Sequence, residues 1–348
     1  MIGERDMDGG ETMSRGGFTR RTFLKGGGVG LAGAALLGVA GCGQQESEAE
    51  GGDSGGLVNR GDINIEMPTH MIPPDPNTAI MQNGAERAAS DLGVNIEFRG
   101  PDNFSIPDIQ RIFETSIAAG PDAIAATLPD ADALGPLIQE AVDEGIAVVL
   151  FNAGLDEWEE LGALTYVGQT EYEAGVTAGE RMAEAGVTNA ICVNHQQGQL
   201  TLETRFEGFR EGMGGNATQV AVDGNDSTQL RNGVETALRQ NQDANGLLTL
   251  GPDAGIQAMR AAEEAGRAGS MTLATFDISP QVLEAVQSED MLFAIDQQMF
   301  FQTYQAAFSL VNYVQYRLRP VEAVPSGPLF ITSGDAGEIL ELSDQGIH

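Results

Sequence analysis

Residues 123–152 read AIAATLPDADALGPLIQEAVDEGIAVVLFN. Ala123 to Ala126 form a short apolar run that ends in a Pro-Asp turn. Leu134 to Glu144 then places Leu134, Leu137, Ile138, Ala141 and Val142 at helical spacing, with Asp132 positioned to cap orphan N–H groups. After Gly145 a second apolar run, Ala147 to Phe151, ends at the polar Asn152. Two unbroken apolar runs around one amphipathic helix describe a βαβ unit whose parallel strands are buried on both faces.

The same alternation extends in both directions from Asp62. Strands are predicted at Ile63 to Met67 and Val94 to Phe98 upstream, and at Ala190 to Val193, Gln219 to Val222, Gly246 to Leu250, Thr272 to Phe276 and Leu292 to Asp296 downstream. The helices between them are Ala79 to Leu92, Ile106 to Ala119, Glu171 to Ala185, Leu200 to Gly212, Ser227 to Gln240, Ala254 to Ala265 and Pro280 to Ser288. Thr170, Asp226 and either Asp253 or Ser279 stand where caps are needed, and Pro280 suits a first helical position. A repeat of roughly 30 residues per unit, running before and after about Tyr166, predicts an α/β fold of two similar lobes with mainly parallel sheets.

Within the 348 residues, 18 Lys and Arg face 51 Asp and Glu, a formal charge of −33. Such a surface repels phosphate backbones, so nucleic acid is excluded as a partner. Lys25 is the only lysine. An acidic, lysine-poor surface resembles that of halophilic proteins, since about 1 M salt shortens the screening length to roughly 3 Å and makes crowded carboxylates tolerable.

Residues 1–60 stand apart from the fold. Arg20-Arg21 precede Thr22-Phe23-Leu24-Lys25 and an uncharged run to Gly41, the pattern of an export signal, with Met1 or Met13 as its start. Val39-Ala40-Gly41-Cys42 places a cysteine directly after small residues, so Cys42 is expected to take a lipid anchor. Residues 42–60 read as a flexible tether, and Cys192, in an apolar run, as a buried small hydrophobe.

In open parallel sheets ligands bind beyond the carboxyl ends of the strands. Unusual polar residues fall there in both halves: His70, Asp75 and Asn77 after the first strand, Asn152 after the fourth, and Gln169 beyond Val167. Downstream they are His195 to Gln197, Asp253, Asp277 and Asp296 to Gln298. Turns are polar in general, and it is the recurrence in both halves that points to a binding cleft.

Five phrases in order carry a family resemblance: Phe151-Asn152-Ala153-Gly154; Tyr166-Val167-Gly168-Gln169 with Glu171 to Gly175; Cys192 to His195 with Arg205 to Phe209; Thr275-Phe276-Asp277; and Ile295 to Gln298. Over residues 62–331 the chain resembles the periplasmic sugar-binding proteins of the ribose-binding type, the type I solute-binding proteins of ABC importers, and residues 1–41 resemble a twin-arginine lipoprotein signal peptide. The resemblance implies two Rossmann-like lobes joined by a three-crossing hinge, with crossings near Val167, Gln297 and Pro325. The N-terminal lobe would comprise residues 62–166 and 298–322, the C-terminal lobe residues 167–297 and 323–348. It also carries over Asn152, Arg205, Asp253, Asp277 and Gln297 as ligand-binding residues, groups that suit paired sugar hydroxyls. Two departures speak against ribose itself: Asn152-Ala153 replace an acid and an arginine, and the loop from His70 to Asn77 lacks an aromatic pair. Phe104, Phe206 and Trp158 either supply a stacking face or pack as buried bulk.

The expected function is capture of a small polar ligand, a sugar or related polyol, by a monomeric lipoprotein on the outer face of the cell membrane, in partnership with a permease and an ATPase. A nucleoside-binding lipoprotein, or a binding protein serving a chemotaxis or signalling receptor, is the alternative. Neither catalysis nor a cofactor is expected, because His70, His195 and His348 lack metal-ligand spacing and no Walker loop occurs.

Overall fold

A computed structural model describes residues 58–348 apart from Pro74, Asn225 and Asp344. The signal segment with Arg20 and Arg21, the lipidation site Cys42 and the tether up to residue 57 lie outside the described residues.

The stretch at 123–152 folds as strand β3 (Ala123–Ala126), helix α3 (Ala131–Asp143) and strand β4 (Ala147–Phe151), with β3 and β4 parallel and in register from Ala123↔Ala147 to Ala126↔Leu150. Every residue of both strands is buried, which is why their sequence is apolar throughout rather than alternating. The helix starts a turn earlier than its apolar spacing indicates. Asp130, not Asp132, is the cap: its Oδ1 accepts from the Ala133 N–H at 3.0 Å, and Asp132 falls in the first turn.

The first sheet adds β1 (Asn64–Pro68), β2 (Asn95–Arg99), β5 (Tyr166–Gln169) and β11 (Val324–Gly327) in the order β11-β5-β4-β3-β1-β2, all parallel. The second sheet holds β6 (Ala190–Asn194), β7 (Ala217–Ala221), β8 (Gly246–Thr249), β9 (Thr272–Phe276), β10 (Phe293–Asp296) and β12 (Leu329–Ile331) in the order β12-β10-β9-β8-β6-β7. Only β12 runs antiparallel there. The two orders correspond strand for strand, so β4 is the counterpart of β9 and β5 of β10. Apolar clusters flank both sheets: Ile65, Met67 and Leu310 belong to one and Phe113, Ile124 and Leu150 to another in the first lobe, with Leu247 and Phe276 in separate clusters of the second.

The chain passes between the sheets three times. It leaves the first sheet at Gln169 and enters α4 (Glu171–Glu184), which packs on the second lobe's α5 (Leu200–Gly212). It returns after Asp296 into α9 (Met299–Tyr316), whose Thr303 Oγ1 donates to the Met81 carbonyl of α1 (Pro76–Leu92) at 2.9 Å. It crosses last between Gly327 and Leu329. These boundaries correct the expected ones: residues 167–169 and 324–327 pair in the first sheet, because β5 and β11 form its far edge. Among the described residues no helix is long and apolar enough to cross a membrane.

Candidate functional site

The corresponding strands β4 and β9 end in the same way. Asn152 and Asp277 both have φ of 63°, the left-handed region that Asn and Asp enter more readily than other side-chain-bearing residues. Each is pinned by its own N–H, Asn152 to the Val167 carbonyl at 3.0 Å and Asp277 to the Ile295 carbonyl at 2.8 Å. The two side chains meet through the crossing residue Gln297. Asn152 Nδ2 donates to Gln297 Oε1 at 2.9 Å, and Gln297 Nε2 donates to Asp277 Oδ1 at 2.6 Å. Gln302 of α9 steadies this chain, donating to the Gln297 carbonyl and to Ser326 Oγ, both at 2.9 Å.

Arg205 reaches the same place from α5. Helices α4 and α5 pack backbone to backbone through two glycine pairs, Gly175/Gly179 and Gly208/Gly212. A Cβ on Gly175 would lie 2.2 Å from the Arg205 carbonyl oxygen, and one on Gly208 2.1 Å from that of Tyr172. This close approach lets Glu171, at the start of α4, grip the guanidinium with both oxygens, at 2.5 Å from Nε and 3.1 Å from Nη2. Asp277 Oδ2 lies 3.8 Å from Nη1, and the Phe276 ring supports the guanidinium with its centroid at 4.7 Å. Gln169 Nε2 donates to Glu171 at 2.8 Å, linking the ion pair to the first crossing.

The electrostatics follow from burial. Arg205 is 3% exposed, and burial works against its charge, but Glu171 and Asp277 outweigh that and hold it more firmly protonated than usual. Burial pushes Asp277 up to about 7, against the pull of Arg205 and of the Gln297 hydrogen bond. Two acids sharing one cation in a dry site leave one carboxyl prone to hold a proton.

The first lobe contributes His70, Asp75 and Asn77. Burial, and secondarily the charge of Arg205, bring His70 down to about 4, so it is neutral at pH 7. Its Nε2 lies 3.1 Å from Gln199 Nε2, which can only donate, so the ring proton sits on Nδ1 facing Thr127 Oγ1 at 2.9 Å. This bond and the 3.5 Å contact from Asn77 Nδ2 to Asp277 Oδ2 join the two lobes across the cleft. Asp75 caps α1 through the Asn77 N–H at 2.9 Å, and burial raises its pKa.

His70, Asp75, Asn77, Asn152, Arg205, Asp277 and Gln297 together line one cavity with about 470 Å³ of empty space. Asp253 does not join them. Gly251 caps helix α7 (Pro252–Glu264) and Pro252 opens it, so Asp253 stands exposed in the first turn, accepting from Ser227 Oγ at 3.2 Å. The cavity also takes in His195, Gln199 and Thr201. Gln199 and Thr201 escape a strand-end reading because they belong to the start of α5, several residues past β6. His195 is brought to about 4 by burial and by Arg205, with Asp253 opposing, and its Nδ1 is buried without a hydrogen-bond partner. No Phe, Tyr or Trp lines the cavity: Phe206 and Trp158 pack against the lobe cores, and Phe104 stands edge-on to His70 with ring centroids 6.2 Å apart. Among the described residues there is no His, Cys, Asp and Glu cluster suited to a metal ion.

Comparison with known proteins agrees with this architecture. Residues 71–317 match the family model for a periplasmic binding protein domain. The crystal structure of a carbohydrate transporter from Acidothermus cellulolyticus, in complex with myo-inositol, is 33% identical with a TM-score of 0.78, covering 82% of this chain and 99% of that one. The xylose/arabinose-binding protein of Sulfolobus acidocaldarius is 21% identical over 274 residues, 73% of this chain and 67% of its own length. The D-ribose/D-allose-binding protein of Pseudomonas aeruginosa is 26% identical over 214 residues, 58% of this chain and 64% of its own, just under two thirds. The paired parallel sheets, the three crossings and these likenesses place the chain in one family: it belongs to the periplasmic binding proteins, in the type I sugar-binding group.

Proposed function

We propose that this protein captures a cyclic polyol, a cyclitol such as myo-inositol or a pentose or hexose, between its lobes and delivers it unaltered to the permease and ATPase of an ABC importer. The reading places it outside the cell, exported by the twin-arginine route and held by a lipid on Cys42. One observation carries it above the others: donors and acceptors from both lobes and from the crossing at Gln297 converge on one cavity between strand ends. A ring bearing several hydroxyls can donate to Asp277 and Asn152 while accepting from Arg205 and Gln297, so these four side chains find partners on closure. The lining residues present no nucleophile held against a base. The lack of an aromatic wall in this cavity weighs against a nucleoside base bound there, since a base needs a stacking face.

Support for a cyclitol comes from the myo-inositol complex of the 33% identical transporter. The test is thermal stabilisation against myo-inositol, xylose, arabinose, ribose, glucose and a nucleoside. A ligand at 100 times its Kd stabilises by about 2.7 kcal/mol. Stabilisation by a polyol supports the reading, and a response to the nucleoside alone overturns it. For the anchor, Cys42→Ser should release the protein from the membrane fraction, and retention with unchanged mass would refute it.

A further inference from the structure

The cleft continues beyond the polyol cavity into a second chamber with about 680 Å³ of empty space. Asn152 and Thr201 line both, so the two adjoin, and the Glu171–Arg205 pair stands at the partition: Glu171 borders the second chamber and Arg205 the first. The walls come from both lobes, with Leu128, Ala153 and Leu155 facing Thr170, Tyr172 and Leu200. Ala153 keeps the floor low with a single methyl. At Gly154, where φ is 111°, a Cβ would meet Leu128 and Leu150 side chains at 2.9 Å, so the backbone lies flat against the core here. The second chamber is the roomier of the two. A single ring leaves the second chamber unfilled.

The lining matches the amphipathic character of a sugar ring. Leucine faces suit its C–H surface and the Thr201 hydroxyl its edge, while the Thr204 and Tyr166 hydroxyls already donate to the Leu200 and Asn152 carbonyls. The charge is one-sided: Asp156, Glu157 and Glu173 border the chamber, and no Lys, Arg or His does. Burial, and after it the nearby Asp156, raises the Glu157 pKa.

We infer that the cleft accepts a two-ring ligand, a neutral disaccharide or a glycosylated cyclitol, with one ring held by Arg205, Asp277 and Gln297 and the second, uncharged ring in the chamber walled by Ala153, Leu155, Tyr172 and Leu200. The inference rests on the polyol reading above. A second ring bearing phosphate or carboxylate is disfavoured, because it would face Asp156, Glu157 and Glu173 with no basic side chain in the wall.

Titration calorimetry on the full chain with Cys42→Ser, using myo-inositol, galactose, glucose, galactosyl-myo-inositol, lactose, cellobiose and lactobionate, tests this. At least one neutral two-ring probe should bind tenfold or more tighter than either of its component rings, and lactobionate should bind more weakly than lactose. Ala153→Phe, which fills the chamber, should abolish that gain and leave the single-ring affinity within about twofold. Leu200→Arg, on a half-exposed side chain that carries little packing, is the second probe should Ala153→Phe fail to fold, and it should restore lactobionate relative to lactose. Single rings that bind as tightly as every two-ring probe, or a two-ring gain that survives both variants, would overturn the inference and leave the polyol reading standing. Failure of all single-ring and two-ring probes would take down both.

Discussion

Glu171→Gln isolates the device that positions Arg205. Glu171 does not line the polyol cavity; it acts through Arg205, gripping Nε and Nη2 at 2.5 and 3.1 Å with both side chains under a tenth exposed. Breaking a buried ion pair by removing one partner's charge costs about 3–5 kcal/mol, because the other charge is left uncompensated. Here Asp277, 3.8 Å from Nη1, offsets part of that loss. Glu171 is one of the charges that hold the Asp277 carboxyl up, so its neutralisation favours ionised Asp277 beside the guanidinium. The expected loss is therefore smaller, about 2–3 kcal/mol, which at roughly 2–4 °C per kcal/mol lowers Tm by about 4–12 °C. With Arg205 drawn toward Asp277, polyol affinity should fall at least tenfold, and Glu171→Asp should recover part of it. Scanning calorimetry and ligand titration read the two effects. A Tm within about 1 °C of wild type with unchanged Kd would refute the claim that Glu171 organises the site.

Asp277 gives a pH signature whose sign is fixed. Its carboxyl stays protonated in the fold up to about 7 but ionises near 3.8 when unfolded, so it subtracts stability as pH climbs from about 4 to about 7. Asp277→Asn should match wild type near pH 4 and gain on it toward pH 7 in thermal melts, and a constant difference across that window would contradict the assignment. The variant comparison is needed because His70, held down at about 4 against 6.5, acts in the opposite sense. Gly175→Ala drives a methyl into the Arg205 and Phe209 backbone, so it should cost about 1–3 kcal/mol and weaken polyol binding as well, read by melting and titration. Residues 1–41 carry five basic and four acidic residues, so the mature chain stands at −34, and its Tm should rise from 0.1 M to molar salt as the screening length contracts from about 10 to about 3 Å. A flat Tm would sink the halophile reading.

The architecture was legible wherever apolar runs were long. The strands from β1 to β10 other than β5, and the helices as far as the one predicted at Pro280 to Ser288, follow from periodicity, the interior strands because buried parallel strands need unbroken apolar sequence. β5, β11 and β12 were not: Tyr166-Val167-Gly168-Gln169 has no unbroken apolar run, β12 has only three residues, and Val324-Pro-Ser-Gly carries a proline, tolerable because β11 pairs on one side only. Strand-end polarity led to Asn152 and Asp277, whose left-handed backbone explains why those residue types stand there. It misplaced Asp253, because Gly251-Pro252 intervene between β8 and that side chain, and it passed over Gln199, a residue identified only by a contact with His70, 129 positions away. The glycine spacing at 175/179 and 208/212 was present in the sequence as two matched intervals, but only the packed helices reveal what they hold in place.

Titration of myo-inositol, xylose, arabinose and glucose into the wild type and into Asp277→Ala tests the central claim most directly. The wild type should bind at least one of them with a stoichiometry of one and release it unaltered, and Asp277→Ala, by leaving a buried hydroxyl and Arg205 short of a partner, should lose about 1–3 kcal/mol, a rise in Kd of about 5- to 150-fold, while still folding. Equal affinity in the two proteins, or a chemically altered ligand recovered from the wild type, would contradict the account.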